Sequence, residues 1–126
     1  MLPARHRLRS SADFAAVFQG TRAAGGSRSG SRLIVVHANS TDARAGQPAR
    51  VGFVVSKAVG NAVVRNRAKR VLRALVSARI GQLPVGVDVV VRANPALPGS
   101  STAVLARDLD RLLATVLRRV PSQKGH

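Results

Sequence analysis

Three short β-branched runs, Leu33 to His37, Arg50 to Ser56 and Val87 to Ala93, alternate with segments whose apolar residues recur at helical spacing. Few architectures accommodate that alternation. Ser10-Ser11 ahead of Ala12-Asp13-Phe14 reads as a helix start, since a serine oxygen caps free amides and Asp13 complements the positive end of the dipole. Gly20 is its stop, and Phe14, Val17 and Phe18 share one face. Asn61 caps a second helix running to about Ile80, bounded by Gly60 and Gly81. A last helix from about Ser101 to Val120 aligns Leu105, Leu109, Leu112, Leu113, Val116, Leu117 and Val120 in a core-facing stripe. Arg107, Asp108, Arg111, Arg118 and Arg119 fall largely off it. The order helix, strand, strand, helix, strand, helix predicts an α/β (α+β) two-layer sandwich, with helices packed on a sheet of three or four strands.

A hairpin between the first two strands is the simplest topology, although its loop, Asn39 to Pro48, is longer than usual. Val87 to Ala93 has few polar positions and so predicts a strand buried on both faces. Residues 22–31 lack hydrophobic periodicity and predict a mobile basic loop. The polar tail 121–126 is expected to fray. With 126 residues and no internal repeat, the chain reads as one domain opened by a basic segment, residues 1–9.

Charge narrows the function. Lys and Arg total 21 against 5 acidic residues, a formal net charge of +16, while 45% hydrophobic residues in periodic clusters separate the chain from disordered basic tails. Self-repulsion on that scale points to a polyanionic partner. The absence of cysteine excludes disulfides, thiolate metal sites and a cysteine nucleophile. Residues 1–9 carry charge with no apolar run behind it, unlike a secretory signal, and no stretch reaches transmembrane length. A cytoplasmic location is expected.

The functional signal concentrates in residues 56–73, which read Ser-Lys-Ala-Val-Gly-Asn-Ala-Val-Val-Arg-Asn-Arg-Ala-Lys-Arg-Val-Leu-Arg. Counting about 100° per residue from Arg65, Lys69 lies near ~40°, Arg73 near ~80°, Asn66 near ~100° and Arg70 near ~140°. Val64, Ala68, Val71, Leu72 and Leu75 fall between roughly 240° and 340°. One side is basic and the other is core. A basic helix face is often only solvated. Here, however, Arg65 and Arg67 sit in the N-terminal part of the helix, where the macrodipole disfavours cations, and no acid lies between Asp42 and Asp88. That pattern suits a site that receives phosphates. Arginine outnumbers lysine 18 to 3, which favours bidentate phosphate contact, although genome composition also produces such a bias. Asn66 offers an amide for a base edge, a ribose hydroxyl or a metal-bound water.

The pattern Ser56-Lys57, Gly60-Asn61-Ala62-Val63 and Arg65-Asn66-Arg67-x-Lys69-Arg70-x-x-Arg73 resembles the signature of the bacterial ribonuclease P protein family, the RNR motif. The likeness extends to the element order and to Phe14-x-x-x-Phe18. It implies a ribosomal-protein-like sandwich on a small mixed sheet with a left-handed β-α-β crossover, where general rules favour a right-handed one. It also implies that Lys57, Asn61, Arg65, Asn66, Arg67, Lys69, Arg70 and Arg73 meet the catalytic RNA. A neighbouring cleft between the first helix and the sheet would hold the single-stranded 5′ leader of precursor tRNA, with Phe14 and Phe18 as its aromatic lining. Spacing alone reads the same two rings as ordinary core. The sequence departs from the family in its first strand, where an aromatic residue often lines the cleft and His37 is the available substitute.

No catalytic or metal-binding residues are expected in the protein itself. His6, His37 and His126 are scattered, Asp108 and Asp110 point to different faces of a helix, and there is no glutamate. The resemblance assigns magnesium and water activation to the RNA subunit, leaving the protein to screen phosphates and grip the substrate in tRNA 5′ maturation. The expected partners are the catalytic RNA and precursor tRNA, with neither a membrane nor an obligate protein partner. A ribosomal or general single-stranded RNA-binding protein shares the charge and fold class. A DNA-architectural protein lacks support from a β-ribbon arm or helix-turn-helix spacing, and the apolar faces are committed to a core rather than to lipid.

Overall fold

A computed structural model describes residues 2–20, 26–41 and 44–120. The elements, in chain order, are α1 (Ser11–Gly20), β1 (Gly26–Gly30), β2 (Ile34–Ser40), β3 (Arg50–Val54), α2 (Ala62–Ser77), β4 (Val87–Ala93) and α3 (Thr102–Arg119). Single 3-10 turns lie at Ala4–His6, Lys57–Val59 and Ile80–Gln82. The two caps read from the sequence, at Ser10 and Asn61, are formed, and Ser101 adds a third. Ser10 Oγ accepts from Asp13 N at 3.0 Å, Asn61 Oδ1 from Val64 N at 3.0 Å and Ser101 Oγ from Val104 N at 3.1 Å. Gly60 leaves room for the second of these starts, because a Cβ there would lie 2.8 Å from Val64 Cγ1.

The sheet is mixed, in the order β1-β2-β4-β3. The hairpin expected between the first two apolar runs does not form. β2 pairs antiparallel with β1 and β4, and β3 pairs parallel with β4 on the far side. The reason lies in β4, whose Val87, Val89, Val90 and Val91 are all buried and therefore need a neighbour on each edge. α2 connects β3 to β4, making the β-α-β crossover unit.

Residues 26–30, expected to belong to a mobile loop, instead form β1. Its turn closes through Ser31 N to Ile34 O at 2.8 Å, while Ser31 Oγ accepts from Leu33 N and Ile34 N. An edge strand of Gly-Ser-Arg-Ser-Gly is held by ladder bonds rather than by apolar burial, so hydrophobic periodicity does not reveal it. The expectations for residues 22–25 and for the tail 121–126 lie outside the described residues. α2 stops at Ser77, before the expected end near Ile80, where Arg79 Nη1 donates to the Leu75 carbonyl at 2.8 Å.

α2 and α3 cover one face of the sheet. Leu105, Leu109, Leu112, Leu113 and Val116 of α3 and Ala68, Leu72 and Val76 of α2 pack with Ile34, Val36, Ala38, Val51, Val89 and Val91 in the main core. α1 lies on the opposite face, where Val17 joins Leu8 and Val90 in a smaller cluster. The chain ahead of α1 runs beside β3: Arg7 bridges Val51 in parallel, and Leu8 N donates to Val51 O at 3.0 Å. That contact protects an otherwise open strand edge. No helix among the described residues is long and apolar enough to cross a membrane.

Candidate RNA interface

The sheet face under α1 carries three rows of side chains: Gly26, Asn39, Asp88, Arg50; Arg28, His37, Val90, Gly52; and Gly30, Val35, Arg92, Val54. α1 crosses the first two. Arg50 anchors its start, with Nη1 3.3 Å from Asp13 Oδ2 and Nη2 2.7 Å from the buried Asp88 Oδ2. Asn39 Nδ2 donates to the Ala16 carbonyl at 3.3 Å. Phe14 lies directly over Gly52, where an added Cβ would sit 2.3 Å from the ring. The missing side chain is what lets this ring reach the sheet. Gly52→Ala is therefore expected to lift Phe14 and cost about 1–3 kcal/mol, as overpacking does. Urea unfolding of the variant checks this, and a stability equal to the parent would mean that Phe14 has no fixed seat.

Phe14 and Phe53 border two adjoining recesses of about 500 Å³ each. The first is rimmed by Arg7, Arg9, Lys69 and Arg73, and the second by Phe18, Val54 and Val55. Together they make a trough lined by the half-buried rings of Phe14 and Phe18, with cations along one bank; Phe53 borders it from β3, its side chain on the opposite sheet face and packed against the main core. Phe53 and the arginines at 7, 9, 28 and 92 were not singled out in the sequence. Phe53 is the third of only three phenylalanines, and that scarcity was the available signal.

The other expected residues divide according to where α2 faces. Lys69 and Arg73 are half-buried on the rim of the trough, and Arg65, one turn earlier on the same side of the helix, is half-buried with an Nε that has no hydrogen-bond partner. Asn66 and Arg70 stand exposed on the crest. Arg67 borders a different recess on the far flank. Lys57 is exposed in the preceding turn, and Asn61 uses its oxygen as the helix cap.

His37 does not line the trough as an open surface. It is 5% exposed beneath Phe18, whose ring meets it edge-on with centroids 4.9 Å apart. Neither ring nitrogen finds a hydrogen bond. Burial, and then the nearby charges of Arg28 and Arg92, lower its pKa to about 4, so the imidazole is neutral at pH 7.

The described acids are all engaged by arginines: Asp13 and Asp88 by Arg50, Asp88 also by Arg44, Asp110 by Arg79 and Asp108 by Arg111. Among the described residues none of these pairs involves an α2 cation between Arg65 and Arg73. No three carboxylate, imidazole or thiol groups gather among the described residues either.

Comparison with known proteins decides what this arrangement belongs to. The family model described as Ribonuclease P matches residues 2–117. This chain belongs to the ribonuclease P protein family. The ribonuclease P protein component of Kocuria rhizophila is 48% identical over 119 residues, spanning 94% of this chain and 98% of that protein. That of Beutenbergia cavernae is 52% identical over 116 residues, 92% of each. Among solved structures, the ribonuclease P protein of Staphylococcus aureus matches with TM-score 0.72 at 25% identity, covering 87% of this chain and 94% of that one. The Thermotoga maritima protein matches with TM-score 0.69 at 27% identity, covering 90% and 97%. The ribonuclease P fold thus accounts for nearly the whole chain.

Proposed function

We propose that this chain is the protein subunit of ribonuclease P: it binds the catalytic RNA and the 5′ leader of precursor tRNA and promotes 5′-end maturation of tRNA. The RNA subunit, with its magnesium, hydrolyses the phosphodiester. The observation that carries this reading is the uncompensated cationic crest of α2 standing beside the phenylalanine trough. Arg65, Asn66, Arg67, Lys69, Arg70 and Arg73, with Lys57 and Asn61 at the helix entrance, meet the catalytic RNA. Their charges neutralise phosphates that otherwise repel those of the substrate, which substitutes for a high magnesium concentration.

The leader follows the trough. Phe14 and Phe18 give its unpaired bases apolar faces, a grip worth about 1–3 kcal/mol per stacked base and tolerant of sequence. His37 acts from below by fixing the Phe18 ring. Arg7 and Arg9, which rim the same recess, take leader phosphates along the bank. A cytoplasmic location follows from the substrate.

The test is cleavage of precursor tRNA by a bacterial ribonuclease P RNA at low magnesium, with long and very short 5′ leaders. The protein is expected to rescue cleavage of the long-leader substrate by about tenfold or more over the short one, on the scale of one or two stacked bases. Phe18→Ala is expected to remove most of that difference. Rescue that ignores leader length would remove the trough from the substrate path, and failure to rescue either substrate would overturn the subunit assignment.

A further inference from the structure

Arg67 stands apart from Arg65, Lys69 and Arg73 of α2, with Arg70 between them on the crest. Counted around the helix it lies about 200° from Arg65, well away from the bank formed by Arg65, Lys69 and Arg73. It borders a recess of about 380 Å³ between the first turns of α2 and the loop that leads into α3. Val63, Val64, Ala68, Val71, Leu97 and Leu105 supply the apolar walls, and Gly99, Ser100 and Thr102 the rim. No acidic residue is among its lining residues.

Val63 is the anomaly. It is 77% exposed in the first turn of α2, the largest exposure of any large apolar side chain among the described residues. A β-branched residue at that position lowers helix propensity slightly and buries nothing in the chain itself. The fold gives no reason for it. A recess with apolar walls, one guanidinium at its mouth and a positive surround suits a planar heterocycle joined to a phosphate. It is far too small to hold the contact area that a stable protein partner needs.

We infer that the recess between α2 and the 97–100 loop receives one unstacked nucleobase of the catalytic RNA, with Arg67 on the adjoining phosphate. This rests on the reading of α2 as an RNA-binding crest. The RNA that crosses Asn66 and Arg70 then straddles the helix, with its charge met on the crest and a single base held on the far flank. The recess contributes apolar affinity that salt does not screen, unlike the cations beside it.

The experiment measures equilibrium binding of a full-length bacterial ribonuclease P RNA to the whole chain across a salt series. It compares the parent with Val63→Ser, Thr102→Trp and Arg67→Ala, and uses circular dichroism melting to show that each variant is folded. Val63→Ser removes an apolar wall, and Thr102→Trp plugs the recess from an exposed position. Both are expected to weaken binding by about tenfold at every salt concentration with an unchanged salt slope, as lost apolar burial does. Arg67→Ala is expected to reduce the slope by about one. Chemical probing of base edges in the RNA should show one nucleotide whose reactivity changes between the parent and Thr102→Trp complexes. Parent-like affinity of both recess variants overturns the inference while leaving the crest intact. The same is true of a loss explained by a changed oligomeric state in sedimentation. If the parent itself fails to bind the RNA, the underlying RNA-binding reading fails, and the inference with it.

Discussion

Replacing Arg65, Lys69 and Arg73 together by alanine is expected to lower affinity for ribonuclease P RNA by about a hundredfold near physiological salt, at about 1 kcal/mol per lost charged contact. Each phosphate neutralised by a cation releases a counterion, so three lost contacts should also take about 2–3 from the slope of log affinity against log salt. Filter binding at four or five salt concentrations separates these two effects. The isolated protein should not be harmed in proportion. Arg65 sits near the positive end of the α2 dipole and holds a buried Nε without a hydrogen bond, and all three cations add to a net charge of +16. Against this, the half-buried stems of Lys69 and Arg73 lose some packing. The melting temperature of the triple variant is therefore expected to stay within a few degrees of the parent or to rise. Parent-like affinity and slope would remove this bank from the RNA interface, whatever the stability.

This contrast follows from how the chain spends its few acids. Four of the five lie among the described residues and each meets an arginine; three of them, Asp13, Asp88 and Asp110, do so in pairs that join different elements of the fold. Arg50, with Asp88 and Asp13, ties α1 to the sheet. Arg79 and Asp110 join the end of α2 to α3, and their mutual hydrogen bonds raise the pKa of the guanidinium and lower that of the carboxyl. The α2 cations receive no such partner among the described residues. Positive charge is thus neutralised where it builds the scaffold and left free where a phosphate backbone would meet it.

How far the sequence revealed this depended on whether each feature was local. The α3 stripe and the basic and apolar sides of α2 repeat every turn, so spacing alone assigned Leu109 and Leu72 to the core and Arg70 to the surface. The helix caps at Ser10 and Asn61 were equally local. Strand pairing was not: the partners of β2 are set by the two-sided burial of β4, some fifty residues later in the chain. β1 escaped because Gly-Ser-Arg-Ser-Gly contributes backbone bonds rather than apolar burial. Within the site, Phe14 and Phe18 stood out by their match to the family pattern, spacing alone reading them as core, whereas Phe53 sits inside an apolar strand and packs on the main core while bordering the trough. The pairing of Phe14 with Gly52 could not be anticipated either, since it depends on α1 lying across the face opposite the other two helices.

The burial of His37 under Phe18 makes the stability of the free protein depend on pH. An imidazole that ionises at about 4 in the folded chain and near 6.5 when unfolded binds its proton more readily in the unfolded state. Stability is then complete above about pH 7, falls as pH drops through 6.5 and levels off below about 4, a loss of up to about 3 kcal/mol. Burial is the main cause, with Arg28 and Arg92 adding to it, so raising salt should recover only the smaller, Coulombic share. His37→Phe keeps a ring beneath Phe18 but removes the proton site, and is expected to abolish this part of the pH dependence. Urea midpoints from pH 4 to 8 for the parent and the variant, taken as a difference, cancel the titration of the carboxylates common to both. A difference that grows toward low pH in favour of the variant is the expected result. Parallel curves would mean that the imidazole takes up its proton as readily in the folded chain as in the unfolded one, and that Phe18 does not rest on a water-excluded His37.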